Sequence, residues 1–492
     1  MASLMEQIKD RANQYFRDGK YQEAYCFYTK AIEVGANTVA TAACYGNRSF
    51  AACKLEFYGQ AIKDANSALA LDPLYLKAYY RRAAAYMALN KPKLALEDFK
   101  KVAEIQKHLN NQDKFIYAKI KECEKLIHRL AFEKAIAVEG KKEKPLAYTT
   151  DCDSITVDSA YDGPRLKDHK VVTLEFVNEL IEHFKDSKRL HRRYVLEILC
   201  QAYKCFVAQP TLVDVKIEDS KKFTVVGDIH GQFFDLLNIF KINDLPSEDN
   251  PYLFNGDIVD RGSFSTECIL LLLSLKLLYP RHLYISRGNH ETHTMNQMYG
   301  FEGECKHKYS ATIYEFFTQV FQVLPLAHLL HSENPETGRS SRVLVMHGGL
   351  FSQDNVSLDD IRKIDRNRQP PGDGLMCELL WSDPMPANGR VVSKRGIAIA
   401  FGPDVTRSFC AYNNLDYIIR SHEVKQLGYE VAHDDMCITV FSAPNYCDMM
   451  GNLGAIVQLM GPKLKPRFLE FQAVQHPEMK PMAYANHLLN LL

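Results

Sequence analysis

Apolar residues recur with helical spacing through the first quarter of the chain. Ala61, Ala65 and Ala68 return 34 positions later as Ala95, Phe99 and Val102. Ala24, Tyr28 and Ala31 precede them, displaced by three extra residues near 36–40. Steps of three and four residues place each trio on one helix face. A second series, Ala12 with Tyr15 and Phe16 and later Ala83 with Tyr86, marks the partner helix of each unit, and Pro73 closes the second unit. The pattern predicts three helical hairpins over about 5–108. A further helix at 112–138 would cap the last apolar face, so that 5–138 forms one all-α domain.

The period then stops. Lys141, Lys142, Glu143, Lys144 and Pro145, followed by acidic, Ser/Thr-rich sequence with Gly163 and Pro164, predict a partly extended linker over 139–170. Thr173 opens an amphipathic helix with Leu174, Val177, Leu180, Ile181 and Phe184 on one side. Beyond it the pattern changes to short runs rich in Val, Ile and Leu, and five of these end at a cluster of metal-type ligands, four of them punctuated by Gly. The run 223–226 meets Gly227-Asp228-Ile229-His230-Gly231, and 252–254 meets Gly256-Asp257-Ile258-Val259-Asp260-Arg261-Gly262. The run 282–286 precedes Arg287-Gly288-Asn289-His290-Glu291, 343–346 precedes His347-Gly348-Gly349, and 417–420 precedes Ser421-His422-Glu423. Such runs read as buried strands whose ends converge on one rim of a sheet, where α/β proteins place their sites. The chain is therefore expected to have two domains, an all-α superhelix followed by an α/β domain over 171–480.

The helical period resembles the tetratricopeptide repeat, in three copies. Lys9 and Asn13 lie four apart, as do Lys77 and Arg81, and Asn47 stands in the second repeat where Arg81 stands in the third. In tetratricopeptide modules that grip the acidic C-terminal tail of chaperones, residues at these positions form a carboxylate clamp. The resemblance implies that Lys9, Asn13, Asn47, Lys77 and Arg81 bind the C-terminal acidic peptide of the ninety-kilodalton heat-shock chaperone, with Lys and Arg holding carboxylates and Asn fixing peptide backbone. The bland alternative is an ordinary basic helix face.

Composition narrows the compartment and the partner. At 492 residues the chain exceeds one compact core. The longest apolar stretch, 269–279, is interrupted by Ser274 and Lys276 and is far short of the roughly 20 residues of a membrane span, and the N-terminus has no signal-peptide core. The expectation is a cytoplasmic and nuclear protein, with its 13 unpaired-looking cysteines reduced and mostly buried. Net charge is zero, yet residues 1–150 carry about 25 Lys/Arg against about 17 Asp/Glu, so roughly +8 lies there and roughly −8 beyond. An acidic catalytic half argues against a nucleic-acid partner.

Asp228, His230, Asp257, Asn289, His347 and His422 offer oxygen and imidazole without thiolate, which suits Mn, Fe, Zn or Mg. Six ligands exceed the needs of one open tetrahedral ion and suit two divalent ions sharing a carboxylate, an arrangement that activates water for in-line attack on a phosphoryl group. The Gly-Asp-x-His-Gly, Gly-Asp-x-Val-Asp-Arg-Gly and Arg-Gly-Asn-His-Glu motifs resemble the serine/threonine phosphoprotein phosphatases of the metallophosphoesterase superfamily. The likeness continues through Leu379-Leu380-Trp381-Ser382-Asp383-Pro384, Lys394-Arg395-Gly396, Phe401-Gly402-Pro403-Asp404-Val405 and Ser442-Ala443-Pro444-Asn445-Tyr446-Cys447, covering about 170–475.

That resemblance implies a central β-sandwich flanked by helices and hydrolysis of phosphoserine and phosphothreonine in protein substrates. Asp228 and His230 would hold one metal, Asp257 would bridge, and Asn289, His347 and His422 would hold the other. Arg261 and Arg395 would bind phosphate oxygens with Asn289, and Tyr446 would lie at the rim of the same cleft. His290 would be the general acid, oriented by Asp260; the alternative is that His290 only orients Asn289. Two rivals remain: a nucleotide phosphodiesterase lacking the long matching stretch, and a non-catalytic adaptor, which would be expected to have lost ligands. Residues 331–341 are longer and more polar than the family pattern and predict an exposed loop. The last segment, 481–492, places Tyr484, Leu488, Leu489 and Leu492 on one face and is expected to dock as a short regulatory helix. The charge asymmetry and the resemblance together suggest that the basic repeats cover the acidic cleft until an acidic chaperone tail competes for them.

Overall fold

The computed structural model describes residues 2–35, 39–108, 114–139, 144–166, 170–333, 337–338 and 340–485. Two compact units result: Met1–Glu143 together with Val392–Ile397, and Lys144–Val391 together with Ala398–Asn486.

The first unit is built from α1 (Ala2–Arg17), α2 (Tyr21–Gly35), α3 (Ala42–Lys54), α4 (Tyr58–Leu71), α5 (Leu76–Ala88), α6 (Pro92–His108) and α7 (Lys114–Glu139). Every member of the three periodic trios is buried, as are Ala12 and Ala83. Alanine at the crossings lets backbones approach where a larger side chain would hold them apart. Gln112, the expected start of the last helix, lies outside the described residues. Polar side chains lock the hairpins: Arg48 donates to both oxygens of Asp64 at 2.8 and 2.7 Å, and Arg82 to both of Asp98 at 2.9 and 2.5 Å. These two forks join α3 to α4 and α5 to α6.

In the second unit Thr173 caps the helix Leu174–Lys185 by accepting from Phe176 N at 3.2 Å. Val177, Leu180, Ile181 and Phe184 are buried as expected. Leu174 is not: it is 45% exposed, and Phe176 takes the inward place because the first turn has not yet rotated onto the core. Residues 144–166, expected as connection, pack on this unit. Ala147 and Cys152 are buried in its core, and Leu146 N donates to Gln319 Oε1 at 2.9 Å.

The strands are β1 (Leu212–Lys216), β2 (Lys222–Val226), β3 (Tyr252–Phe254), β4 (Leu283–Ile285), β5 (Ala327–Glu333), β6 (Ser340–Met346), β7 (Asp383–Pro384), β8 (Arg390–Val392), β9 (Ile399–Phe401), β10 (Tyr417–Arg420), β11 (Tyr429–Ala432), β12 (Cys437–Val440), β13 (Gly454–Met460) and β14 (Lys465–Phe471). One sheet runs β1-β5-β6-β10-β12-β11, a second β14-β13-β2-β3-β4, and a small third β7-β9-β8. Phe223, Val225, Leu253 and Val457 from the second sheet meet Val343, Val345, Ile419 and Val440 from the first in one apolar cluster, so the two sheets form a sandwich. Helices cover the outside of the second sheet. Among them Ser265–Leu278, which carries the longest apolar run, is buried on nearly all sides.

The polar loop expected at 331–341 is shorter than predicted. The β5–β6 ladder continues through His331↔Arg342 and Ser332↔Ser341 to Glu333↔Ser340, and its tip, 334–336 with 339, lies outside the described residues. β2, β3 and β4 are mutually parallel, as are β6, β10 and β12. Their C-terminal ends therefore open on the same edge of the sandwich.

Candidate metal centre at the strand ends

Asp228 follows β2, Asp257 follows β3, Asn289 follows β4, His347 follows β6 and His422 follows β10. All are at least 94% buried, with His230 and His290. Close approach of the loops excludes side chains at two positions. A Cβ at Gly288 would lie 2.2 Å from Asp257 Oδ1, and one at Gly256, whose φ is +87°, would lie 2.6 Å from Gly288 Cα.

Ligand atoms of Asp257, His347 and His422 lie within 4.8 Å of one another, and so do those of His230, Asp257 and His290. Asp228 joins the second group through His230, whose Nε2 stands 3.7 Å from Asp228 Oδ2 and 3.6 Å from Asp257 Oδ2. Backbone carbonyls set the tautomers. His230 Nδ1 faces Val259 O at 3.1 Å and His347 Nδ1 faces Asn255 O at 2.8 Å, which leaves each Nε2 lone pair turned to the centre. The Asn289 amide end lies 2.8 Å from His347 Nε2 and 2.9 Å from His422 Nδ1, with Asp257 Oδ2 at 3.1 Å. An amide end, two imidazole nitrogens and a carboxylate thus crowd around one point. Oxygen and imidazole groups gathered in this way suit a cation, and these residues fit divalent metal.

The electrostatics reflect this crowding: burial lowers the His347 pKa, but neighbouring Asp257 outweighs it and raises it above the ordinary imidazole value. Burial, then the charge of Asp257, pushes Asp228 up to about 7. Burial, then neighbouring His290, pushes His230 down to about 3. Burial also raises Asp257, but His347, His290 and His230 outweigh it and hold its carboxyl below the usual range.

His290 Nδ1 pairs with Asp260 Oδ2 at 2.8 Å, and His290 N donates to Asp257 Oδ1 at 2.9 Å. Asp260 is fixed in turn by Asn296 Nδ2 at 3.0 Å and Phe301 N at 2.9 Å. Arg261 N donates to Tyr299 O at 3.1 Å, and its guanidinium lies 3.8 Å from the centre of the Tyr299 ring. Tyr446 stands over the same edge, its ring 5.1 Å from that of His230. Arg395 belongs to the segment Val392–Ile397 of the first unit, where its Nη1 meets Glu56 Oε2 at 3.2 Å.

Glu291, read from the sequence only as the end of a motif, has a definite task. Its buried carboxylate accepts Asp257 N at 2.8 Å, Ile258 N at 2.9 Å and Gly288 N at 2.8 Å, tying the β3 loop to the β4 loop. Burial, then the charge of Asp257, raises its pKa to about 7 against the Ile258 and Gly288 N–H groups and His347. Asn296 and Tyr299 were also missed, because the helix that follows the motif carries no signal of its own.

Of the expected peptide-binding residues, Asn13, Asn47 and Arg81 form a ladder. Asn47 Nδ2 donates to Asn13 Oδ1 at 3.2 Å and Arg81 Nη1 to Asn47 Oδ1 at 3.3 Å. Lys9 is paired with Glu6, and Lys77 is exposed.

A β-sandwich with buried Asp, Asn and His ligands at its strand ends defines a metal-dependent phosphoesterase. A profile of the calcineurin-like phosphoesterases matches residues 221–426, and one described as the PPP5 TPR repeat region matches 120–214. The chain is 53% identical over 486 residues to human serine/threonine-protein phosphatase 5, covering 99% of this chain and 94% of that protein. It is 50% identical to serine/threonine-protein phosphatase T of Aspergillus oryzae, covering 99% and 98%. A solved Saccharomyces cerevisiae protein serine/threonine phosphatase superposes with a TM-score of 0.60 at 42% identity, covering 63% of this chain and all of that one. The chain belongs to the serine/threonine-protein phosphatase 5 family and is a metal-dependent protein serine/threonine phosphatase with N-terminal tetratricopeptide repeats. No helix among the described residues is long and apolar enough to cross a membrane.

Proposed function

We propose that the centre binds two divalent ions, one through Asp228 and His230, the other through Asn289, His347 and His422, with Asp257 between them. The observation that supports this is the convergence of side chains from four other strand ends on Asp257. Bound metal supplies a nucleophilic water at neutral pH and countercharge for the phosphoryl oxygens. The chain's own residues do the rest. Arg261, Arg395 and Asn289 hold the substrate phosphate, and Tyr446 shapes the rim. His290, held by Asp260, delivers a proton to the departing seryl or threonyl oxygen, a poor leaving group without it. Asp257→Asn is expected to abolish metal-supplemented turnover of a phosphothreonine peptide. Full turnover by that variant would remove the assignment of Asp257.

The same proposal gives the repeats two tasks. Lys9, Asn13, Asn47, Lys77 and Arg81 take an acidic peptide carboxylate of the chaperone kind, supported by the Asn13–Asn47–Arg81 ladder, which holds three of the five in register. The repeats also restrain catalysis. Support comes from Glu56, whose carboxylate occupies the Arg395 guanidinium assigned to substrate phosphate, while Gly59 N and Gln60 N donate to Arg395 O and Lys394 O, both at 3.0 Å. Glu56→Ala should raise basal turnover of the full chain several-fold, and an unchanged rate would discard the restraint.

A further inference from the structure

Residues 480–485 run along the loop that carries Arg261, and the contacts between them are specific. Met482 N donates to Arg261 O at 2.7 Å, and Ser263 Oγ donates to Lys480 O at 2.8 Å. The loop needs such support. Asp260 and Arg261 have φ of +71° and +70°, two successive left-handed residues with side chains, a conformation that costs about 1 kcal/mol or more at each position. Met482, at φ +56°, is held in the same region. Arg261 is thereby fixed through both backbone polar groups, its N–H on Tyr299 O and its C=O on Met482 N.

The side chain is fixed from two sides as well. The guanidinium lies on the Tyr299 ring, and its Nη1 is 3.7 Å from Met482 Sδ. The segment is itself anchored further along. The Tyr484 ring lies 5.2 Å from that of His307, and Ala485 is buried beside Gly300. A Cβ at Gly303 would come within 2.2 Å of Tyr484 O, so the helix Phe301–Lys308 is cut away where the segment passes.

We infer that Met482 is a positioning residue for catalysis: backbone and thioether together hold the Arg261 guanidinium in the orientation that receives the substrate phosphate. This rests on the phosphate-binding role proposed above for Arg261. A guanidinium ordered before substrate arrives loses less rotamer freedom on binding, and this gain is felt by phosphate itself as well as by substrate.

The test uses the metal-loaded full chain. Met482→Gly keeps the N–H and suits the positive φ while deleting the thioether, and Met482→Leu keeps the bulk. Met482→Gly is expected to raise KM for a phosphothreonine peptide and Ki for inorganic phosphate together, by about three- to tenfold, with Met482→Leu recovering most of the loss. In an Arg261→Ala background Met482→Gly should add nothing. An unchanged Ki in Met482→Gly, or a full further loss in the double variant, would overturn the inference. A rise in turnover with unaltered Ki would overturn it too and assign the segment to restraint alone. If Arg261→Ala by itself leaves Ki unmoved, the phosphate role of Arg261 falls first and the positioning of it falls with it.

Discussion

The two units handle buried polar groups in opposite ways. In the helical unit the two buried carboxylates are answered inside the fold, Asp64 by Arg48 and Asp98 by Arg82, with both oxygens of each carboxylate engaged. At the strand ends of the phosphatase unit, imidazole, amide and carboxylate groups instead crowd around Asp257 in two clusters that could hold metal. The first arrangement stabilises without a ligand. The second gathers like groups in one place, a crowding that bound metal would relieve.

That contrast can be broken at several points. The largest effect is expected from metal removal: a chelator should abolish turnover and lower the unfolding temperature of the phosphatase unit, leaving the helical unit's transition in place, as calorimetry of the full chain would report. A single shift of both transitions would erase the distinction. Next, His290→Ala should lower kcat by about 10²–10⁴ on a phosphothreonine peptide and much less on an aryl phosphate, whose leaving group needs no proton. Equal losses on both substrates would leave His290 as an orienting group only. Third, Asp64→Ala leaves Arg48 without its buried partner and should cost the helical unit about 3 kcal/mol in denaturant unfolding, with the metal-supplemented rate of the other unit retained. Glu291→Gln is expected to cost about 1–3 kcal/mol and to weaken metal binding several-fold, since an amide cannot accept all three N–H groups. Calorimetric titration with Mn would check it. The smallest effect belongs to exposed Lys77: Lys77→Ala should weaken an acidic peptide by about 1 kcal/mol or less, and less still at high salt.

Much of this was legible in the residues. The 34-residue period exposed the repeats because alanine is selected wherever two helices cross closely. The candidate ligands were legible because strands end beside them and, for all but His422, glycines stand close by. What was hidden depends on partners distant along the chain. Arg48 and Arg82, Asp64 and Asp98 share the same period, yet nothing marks them as joined until α3 meets α4 and α5 meets α6. Glu291 works on backbone N–H groups of another loop, which no side-chain pattern announces. Leu174 shows a helical face read one residue out of phase at its first turn, where Phe176 is the residue that turns inward. Residues 144–166 look like a linker by composition and still bury Ala147 and Cys152, because a few apolar positions suffice to dock an irregular segment.

The spread of ligands along the chain has a consequence for synthesis. Asp228 and His422 belong to one centre but are separated by most of the phosphatase unit, whereas every helix of the repeats is complete before Asp228 is made. Domains fold in order as they leave the ribosome. A nascent chain therefore presents every helix of the repeats well before it has all the residues of the candidate centre, and a chain stalled short of His422 would carry the former without ever acquiring the latter.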